Sequence, residues 1–324
     1  MLNVLRQLCG AAAICLIATA HAEDNPVKPI RFIVGFLTGA ATDYSARVVA
    51  EALSTRLGLP VIVENKPGAG SMIAADFVAK SAPDGYTFMM GNSDGITVMT
   101  AVNPGVPYKV PQDFSYISRF ISSSVALAVN PKLPIKSMAE LVAYAKANPG
   151  KLKYGASGIG GIPHLATLLL DQQAGIQLTH VPYKGTSGAV SDIVSGVIDM
   201  GFLTPSTVGA AAKSGQVRLL AVTSAQRLPD WPDLPTMAEA GYPGCTVEVW
   251  YGMSRPANLP QPILHRMRSA VLDALTSDNV KKRLAALGLT PAPLVGADFQ
   301  KLVTSEAARW KAIARDNNIN ISEN

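Results

Sequence analysis

Along the chain, short apolar runs rich in Val, Ile and Leu alternate with stretches whose apolar residues recur every three or four positions. Runs of the first kind at 30–34, 61–63, 87–90, 125–129, 152–156, 178–181, 200–203, 219–222 and 247–251 predict strands. Between most of them the helical period holds: Val49, Leu53 and Leu57 stand at i, i+4 and i+8. Ser137 and Glu140 form an S-x-x-E capping box that opens the helix "SMAELVAYAKA". This alternation predicts an α/β architecture with mostly parallel sheets.

Two long Gly- and Pro-rich connections, "NPGVPYKVPQDF" (103–114) and "RLPDWPDLPTM" (227–237), interrupt the pattern. The β runs at 125–129 and 247–251 follow them and are expected to link two lobes. The middle of the chain, 126–244, is then one α/β lobe, and 23–125 with 245–324 is the other. No internal repeat and no low-complexity tract is present.

The first 22 residues stand outside this scheme. Arg6 supplies a positive start, 8–20 is apolar and uncharged, and Ala20-His21-Ala22 has the small-x-small form of a cleavage site. This reads as a secretory signal peptide, too short and wrongly flanked for a membrane span. Cys9 and Cys15 leave with it, so Cys245 remains alone and no internal disulfide or metal-type spacing exists in the mature chain. Export without disulfides points to a periplasm. Without Arg6 the formal charge falls from +5 to +4, a balance that weakly favours small anionic ligands. The basic residues are scattered and not interleaved with aromatic ones, so no nucleic-acid signature is present. A monomer without cofactor or metal is expected.

Candidate chemistry lies where strands give way to helices. "GFLTGAATDYSARVV" (35–49) follows an apolar run, passes through small residues and enters a helix. The first N–H groups of a helix lack intrahelical partners, and the helix dipole adds to their attraction for an anion. Gly39, Ala40 and Ala41 let a ligand approach the backbone, Thr42 offers a cap and a hydroxyl, and Asp43 stands beside the helix start. A plain tight connection fits this stretch as well as a ligand seat. "KYGASGIGGIPHLA" repeats the layout with Ser157 and His164, "HVPYKGTSGAVSDIV" with Tyr183 and Lys184, and "MMGNSDG" ends a strand with Asn92 and Ser93. Ligands of open α/β sheets sit at such carboxyl ends. Dinucleotide, P-loop and nucleophile-elbow spacings are absent. A second reading, a secreted α/β hydrolase pairing Ser157 or Ser93 with His164, lacks an elbow and an acid partner.

Longer ordered segments carry a resemblance: "PIRFIVGF", "VIVENKPGAGSMIAADFVAKSAPDGYTFMMGNS", "VNPKLPIKSMAELVAYAKANPGKLKYGASGIGGIPHLA", "HVPYKG", "LLAVTSAQR", "PDLPTMAEAGYPG" and "WYGMSRPANLP". From about Pro26 onward the chain resembles the Bug-type extracytoplasmic solute receptors, the substrate-binding proteins of tripartite tricarboxylate transporters. The resemblance implies a two-lobe type II periplasmic binding-protein fold and two connecting strands. It further implies capture of a small organic acid in the cleft and delivery to membrane transporter subunits, or to a sensor. Carried over, the holders are Gly39, Ala40, Ala41, Thr42, Asp43, Asn92 and Ser93 from one lobe and Ser157, His164, Tyr183 and Lys184 from the other. The family's first loop is commonly "PFPPGGGTD"; here it is "GFLTGAATD". Leu37, Ala40 and Ala41 make the seat narrower and more apolar, which favours a ligand with an apolar or aromatic body. Asp94 is also unusual for the family and would disfavour a second nearby carboxylate.

Overall fold

The structure, a computed structural model, describes residues 28–157, 160–183, 186–286, 289–317 and 319. The expected signal peptide and Lys184 lie outside them. No helix among the described residues is long and apolar enough to cross a membrane.

Two sheets organise the chain. The first has the order β11-β4-β10-β3-β1-β2, built from β1 (Ile30–Val34), β2 (Val61–Asn65), β3 (Thr87–Asn92), β4 (Phe114–Ser123), β10 (Val249–Pro256) and β11 (Thr290–Val295). The second has the order β7-β6-β8-β5-β9, from β5 (Ala126–Val129), β6 (Lys153–Ser157), β7 (Thr179–Tyr183), β8 (Met200–Leu203) and β9 (Arg218–Val222). Helices cover them: α1 (Ala41–Leu57), α2 (Met72–Ala79), α3 (Met99–Val102), α4 (Met138–Ala147), α5 (Ile162–Ala174), α6 (Thr186–Ser195), α7 (Pro205–Lys213), α8 (Gln261–Thr276), α9 (Asp278–Ala285) and α10 (Gly296–Asp316).

The expected strands form, but the sheets are mixed, not mostly parallel. Four of the described ladders are parallel and five antiparallel. Every antiparallel ladder involves β4, β5 or β10, the strands next to the crossings between lobes. Such a strand enters its sheet from the hinge and so runs against the strands that βαβ crossovers place there. The two crossings lie side by side: Thr223 N–H donates to Val125 O at 2.9 Å, Val125 N–H to Thr223 Oγ1 at 3.0 Å, and Val247 N–H to Thr223 O at 3.1 Å.

Each sheet is buried on both faces, as helical cover on two sides requires. Phe32 and Val34 of β1 enter one core cluster, while Ile33 between them enters another with Phe114, Tyr116, Trp250 and Phe299. In the second sheet Leu127 and Val129 share the first cluster and Ala128 joins a third with Ile193 and Val208. This period-two division fixes the register, since a one-residue slip would exchange the faces. The cap forms with one change: Ser137 Oγ accepts from Glu140 N–H at 3.2 Å, while the Glu140 carboxylate reaches past Ser137 to the Lys136 N–H at 2.5 Å.

Candidate functional site

The loop after β3 in one lobe meets the loop after β6 in the other, where Asp94 Oδ1 accepts from Ile162 N–H. On the first side, α1 begins at Ala41, and its first internal bond runs from Tyr44 N–H to Ala40 O. The N–H groups of Ala41, Thr42 and Asp43 therefore have no partner within the helix. Gly39 turns the chain into the helix with φ +87°, a left-handed conformation that Gly adopts without penalty.

Asp43 is buried and serves the loop. It accepts from Gly39 N–H at 2.9 Å, Arg47 Nε at 3.0 Å and Asn65 Nδ2 at 2.8 Å. Asn65 Nδ2 also donates to Phe36 O at 3.0 Å. Burial alone would raise the Asp43 carboxyl, but the bonds from Arg47, Gly39 and Asn65 outweigh it and hold the group below the usual carboxylate range. Its acceptor positions are taken by protein donors. Asp43 therefore braces the loop, and the helix-start N–H groups beside it keep no partner within the helix.

The floor of the cleft contains a residue that sequence reasoning missed. Ser71 follows β2 in the turn "KPGAGS" with φ +78°, between Ala69 at φ +46° and α2. Its side chain is buried between two glycines. A Cβ on Gly35 would lie 1.8 Å from Ser71 Oγ, and a Cβ on Gly95 would lie 2.6 Å from Ser71 Cβ. The hydroxyl makes no hydrogen bond, and neither does the fully buried Oγ of Ser93 nearby in the chain after β3. Two buried, unpaired hydroxyls at the ends of the central strands are costly unless a ligand or water uses them. The strand–small loop–helix layout of 61–79 is the signal that would have found Ser71. Asn92, by contrast, is engaged: its Oδ1 accepts from Gly95 N–H at 3.2 Å and orders the π-helical turn Asp94–Val98.

Across the cleft, α5 starts at Ile162 with Gly161 as its N-cap residue. His164 Nδ1 accepts from Gly160 N–H at 3.0 Å, so the ring caps the loop. His164 stacks on His180 at 4.4 Å between centroids, and Tyr154 stacks on His180 at 5.0 Å. Burial and the adjacent His180 push the His164 pKa down to about 4, so it is neutral at pH 7. Tyr183 packs over Gly155, and its hydroxyl donates to Asp192 within α6 rather than remaining free for a ligand. Nothing is described of the Ser157 side chain. The lobes touch at Asp94, whose Oδ1 accepts from Ile162 N–H at 3.3 Å.

Elsewhere, Cys245 is a free buried thiol pushed up to about 12 by burial, so it is unreactive at neutral pH. A hollow of about 590 Å³ beside Arg218 and Trp231 lies at the carboxyl end of α7. That helix end repels anions.

A comparison with family models matches residues 45–319 to the tripartite tricarboxylate transporter family receptor. The chain belongs to that family. Protein BugT of Bordetella pertussis is 35% identical, over 92% of this chain and 92% of that protein. Among solved structures, R. palustris Rpa4515 with adipate is 32% identical with a TM-score of 0.80, covering 91% of this chain and 99% of its own. MatC (Rpa3494) from Rhodopseudomonas palustris with bound malate is 30% identical with a TM-score of 0.76, covering 89% and 99%. The tripartite tricarboxylate receptors are periplasmic solute-binding proteins, not enzymes, and this chain is a solute-binding protein with their two-lobe fold. The hydrolase reading is thereby set aside. Its would-be base, His164, takes a backbone N–H instead, and Ser93 Oγ has no partner to activate it.

Proposed function

We propose that this receptor, exported to the periplasm with residues 1–22 removed, captures a small organic carboxylate between its lobes and delivers it to the membrane subunits of a tripartite tricarboxylate transporter. The observation that carries the reading is the set of N–H groups at the start of α1 that have no partner within the helix, on the side of the lobe where Asp94 meets the other lobe. Such N–H groups satisfy a carboxylate without a cation, each charge-assisted bond contributing about 1.5–3 kcal/mol. Gly39, Ala40, Ala41 and Thr42 form the seat itself. Asp43 braces it, Ser71 and Ser93 supply hydroxyls, and Ser157 and Lys184 are the contacts expected from the other lobe. Leu37, 71% exposed on the same loop, and the methyl of Ala40 favour a ligand with an apolar or aromatic body.

Isothermal calorimetry of acids against their own carboxamides tests the proposal. Binding at micromolar strength requires about −8 kcal/mol, within reach of a few such bonds and a buried apolar body. The carboxamide should be at least tenfold weaker, since it leaves helix-start donors poorly paired. Equal affinity for acid and amide would refute the carboxylate seat.

A further inference from the structure

The start of α5 already holds an anion, and that anion belongs to the protein. α5 has no acidic residue in its first turn and no side-chain cap at Gly161. In their place Asp94 reaches over from the other lobe. Its Oδ1 accepts from Ile162 N–H at 3.3 Å and its Oδ2 from Asn92 Nδ2 at 3.4 Å. None of the ion pairs among the described residues includes Asp94. His164, two residues further along α5, is neutral at pH 7 and brings no charge. Ser93, the preceding residue, and Ser71, packed against the following Gly95, each keep a buried hydroxyl without a partner.

A carboxylate in this position acts on both halves of recognition. It occupies the second helix start that a dicarboxylate would use and repels a second anion brought to the same place. It also offers unfilled acceptor capacity, since an ionised carboxylate has about four lone-pair positions and two are used here. The group it suits is a donor.

We propose that Asp94 is a specificity-determining residue that reads a hydrogen-bond donor on the ligand. The preferred class is then a carboxylate carrying a second, donating group, such as ammonium, hydroxyl or amide N–H, rather than a dicarboxylate. This rests on the carboxylate-capture reading and narrows it.

The test is a calorimetric panel of linear carboxylates in three matched sets: α,ω-dicarboxylates, ω-amino acids and ω-hydroxy acids. Adipate, 6-aminohexanoate and 6-hydroxyhexanoate form one matched trio. Wild type and Asp94→Ser are compared, with Asp94→Asn as the isosteric control that keeps an acceptor for Ile162. The wild type should bind its best amino or hydroxy acid about tenfold or more tighter than the dicarboxylate of equal length, and Asp94→Ser should reverse that order. Asp94→Asn should relieve the repulsion of dicarboxylates and lose the preference for ammonium. If the wild type binds dicarboxylates as well as their partners, and Asp94→Ser leaves the order unmoved, the proposal is overturned while carboxylate capture stands. If neither protein responds to any set, both readings fall together.

Discussion

Replacing Ser71 by Gly should make the receptor more stable and a weaker binder. Ser71 sits at φ +78°, where a residue with a Cβ is strained by about 1–2 kcal/mol and Gly is not. Its buried hydroxyl has no partner, and removing an unsatisfied group returns about 1–3 kcal/mol. Against this stand the packing of the Cβ against Gly35 and Gly95, about 0.8 kcal/mol, and the added freedom of Gly in the unfolded chain, about 0.4–1 kcal/mol. At the centre of these ranges the net gain is about 2 kcal/mol, which for a chain of this size raises Tm by about 2–4 °C per kcal/mol. Thermal unfolding without ligand measures the first effect and calorimetry with a bound acid the second. One lost hydrogen bond should weaken binding by about threefold to tenfold. A Ser71→Gly protein that melts at or below the wild-type temperature would refute the reasoning, for it would mean that the hydroxyl is satisfied or the left-handed turn is unstrained. Gain in stability with unchanged affinity would show that Ser71 does not face the ligand.

Other expected outcomes follow from the same geometry. Gly35→Ala should destabilise by about 3 kcal/mol, because the new methyl falls 1.8 Å from Ser71 Oγ, and Gly35→Ala with Ser71→Gly should recover only part, since Ser71 Cα remains 2.8 Å away. Burial raises the Asp94 carboxyl to about 6 against the bonds from Ile162 and Asn92, so dicarboxylates that require it neutral should bind about tenfold or more tighter at pH 5.5 than at pH 7.5, and Asp94→Asn should remove most of that dependence. Of the neighbouring groups, His164 at about 4 lies below that window, burial with the Asp94 charge pushes Tyr251 far above it, and Glu306, raised to about 7 by burial and bonded to Thr97 of the same turn, titrates inside it, so the comparison with Asp94→Asn isolates the Asp94 contribution. Asp43→Asn should cost about 2–3 kcal/mol by releasing Gly39 and Arg47. Because the folded carboxyl lies below its unfolded value, that stability is present above the unfolded pKa and lost as pH falls through the folded one, a slope that Asp43→Asn should lack in acid-unfolding scans. Periplasmic protein should have an intact mass beginning at Glu23.

Periodicity along the chain was enough to find nine strands, the α/β class and the loops at their carboxyl ends, because strands buried on both faces read as short apolar runs and amphipathic helices repeat every three or four residues. It missed β4 and β11 for local reasons. β4, "FSYISRFISS", is buried almost throughout and places Ser118 and Ser123 inside, so it has no clean polar alternation. β11 carries Pro291 and Pro293, which only an edge strand tolerates. The mixed direction of the sheets was likewise hidden, since it depends on where β4, β5, β9 and β10 cross between lobes. Family membership too was legible from ordered segments alone. The division of labour within the cleft was not. Asp43 stands at the start of α1 and Asn92 at the end of β3, yet their acceptors are spent on Gly39, Arg47, Asn65 and Gly95. Ser71 and Ser93 keep theirs unspent. Whether a polar group is occupied depends on partners from distant segments. Asp94 and Ile162 are 68 positions apart, and only the closing of one lobe on the other brings that carboxylate to the start of α5.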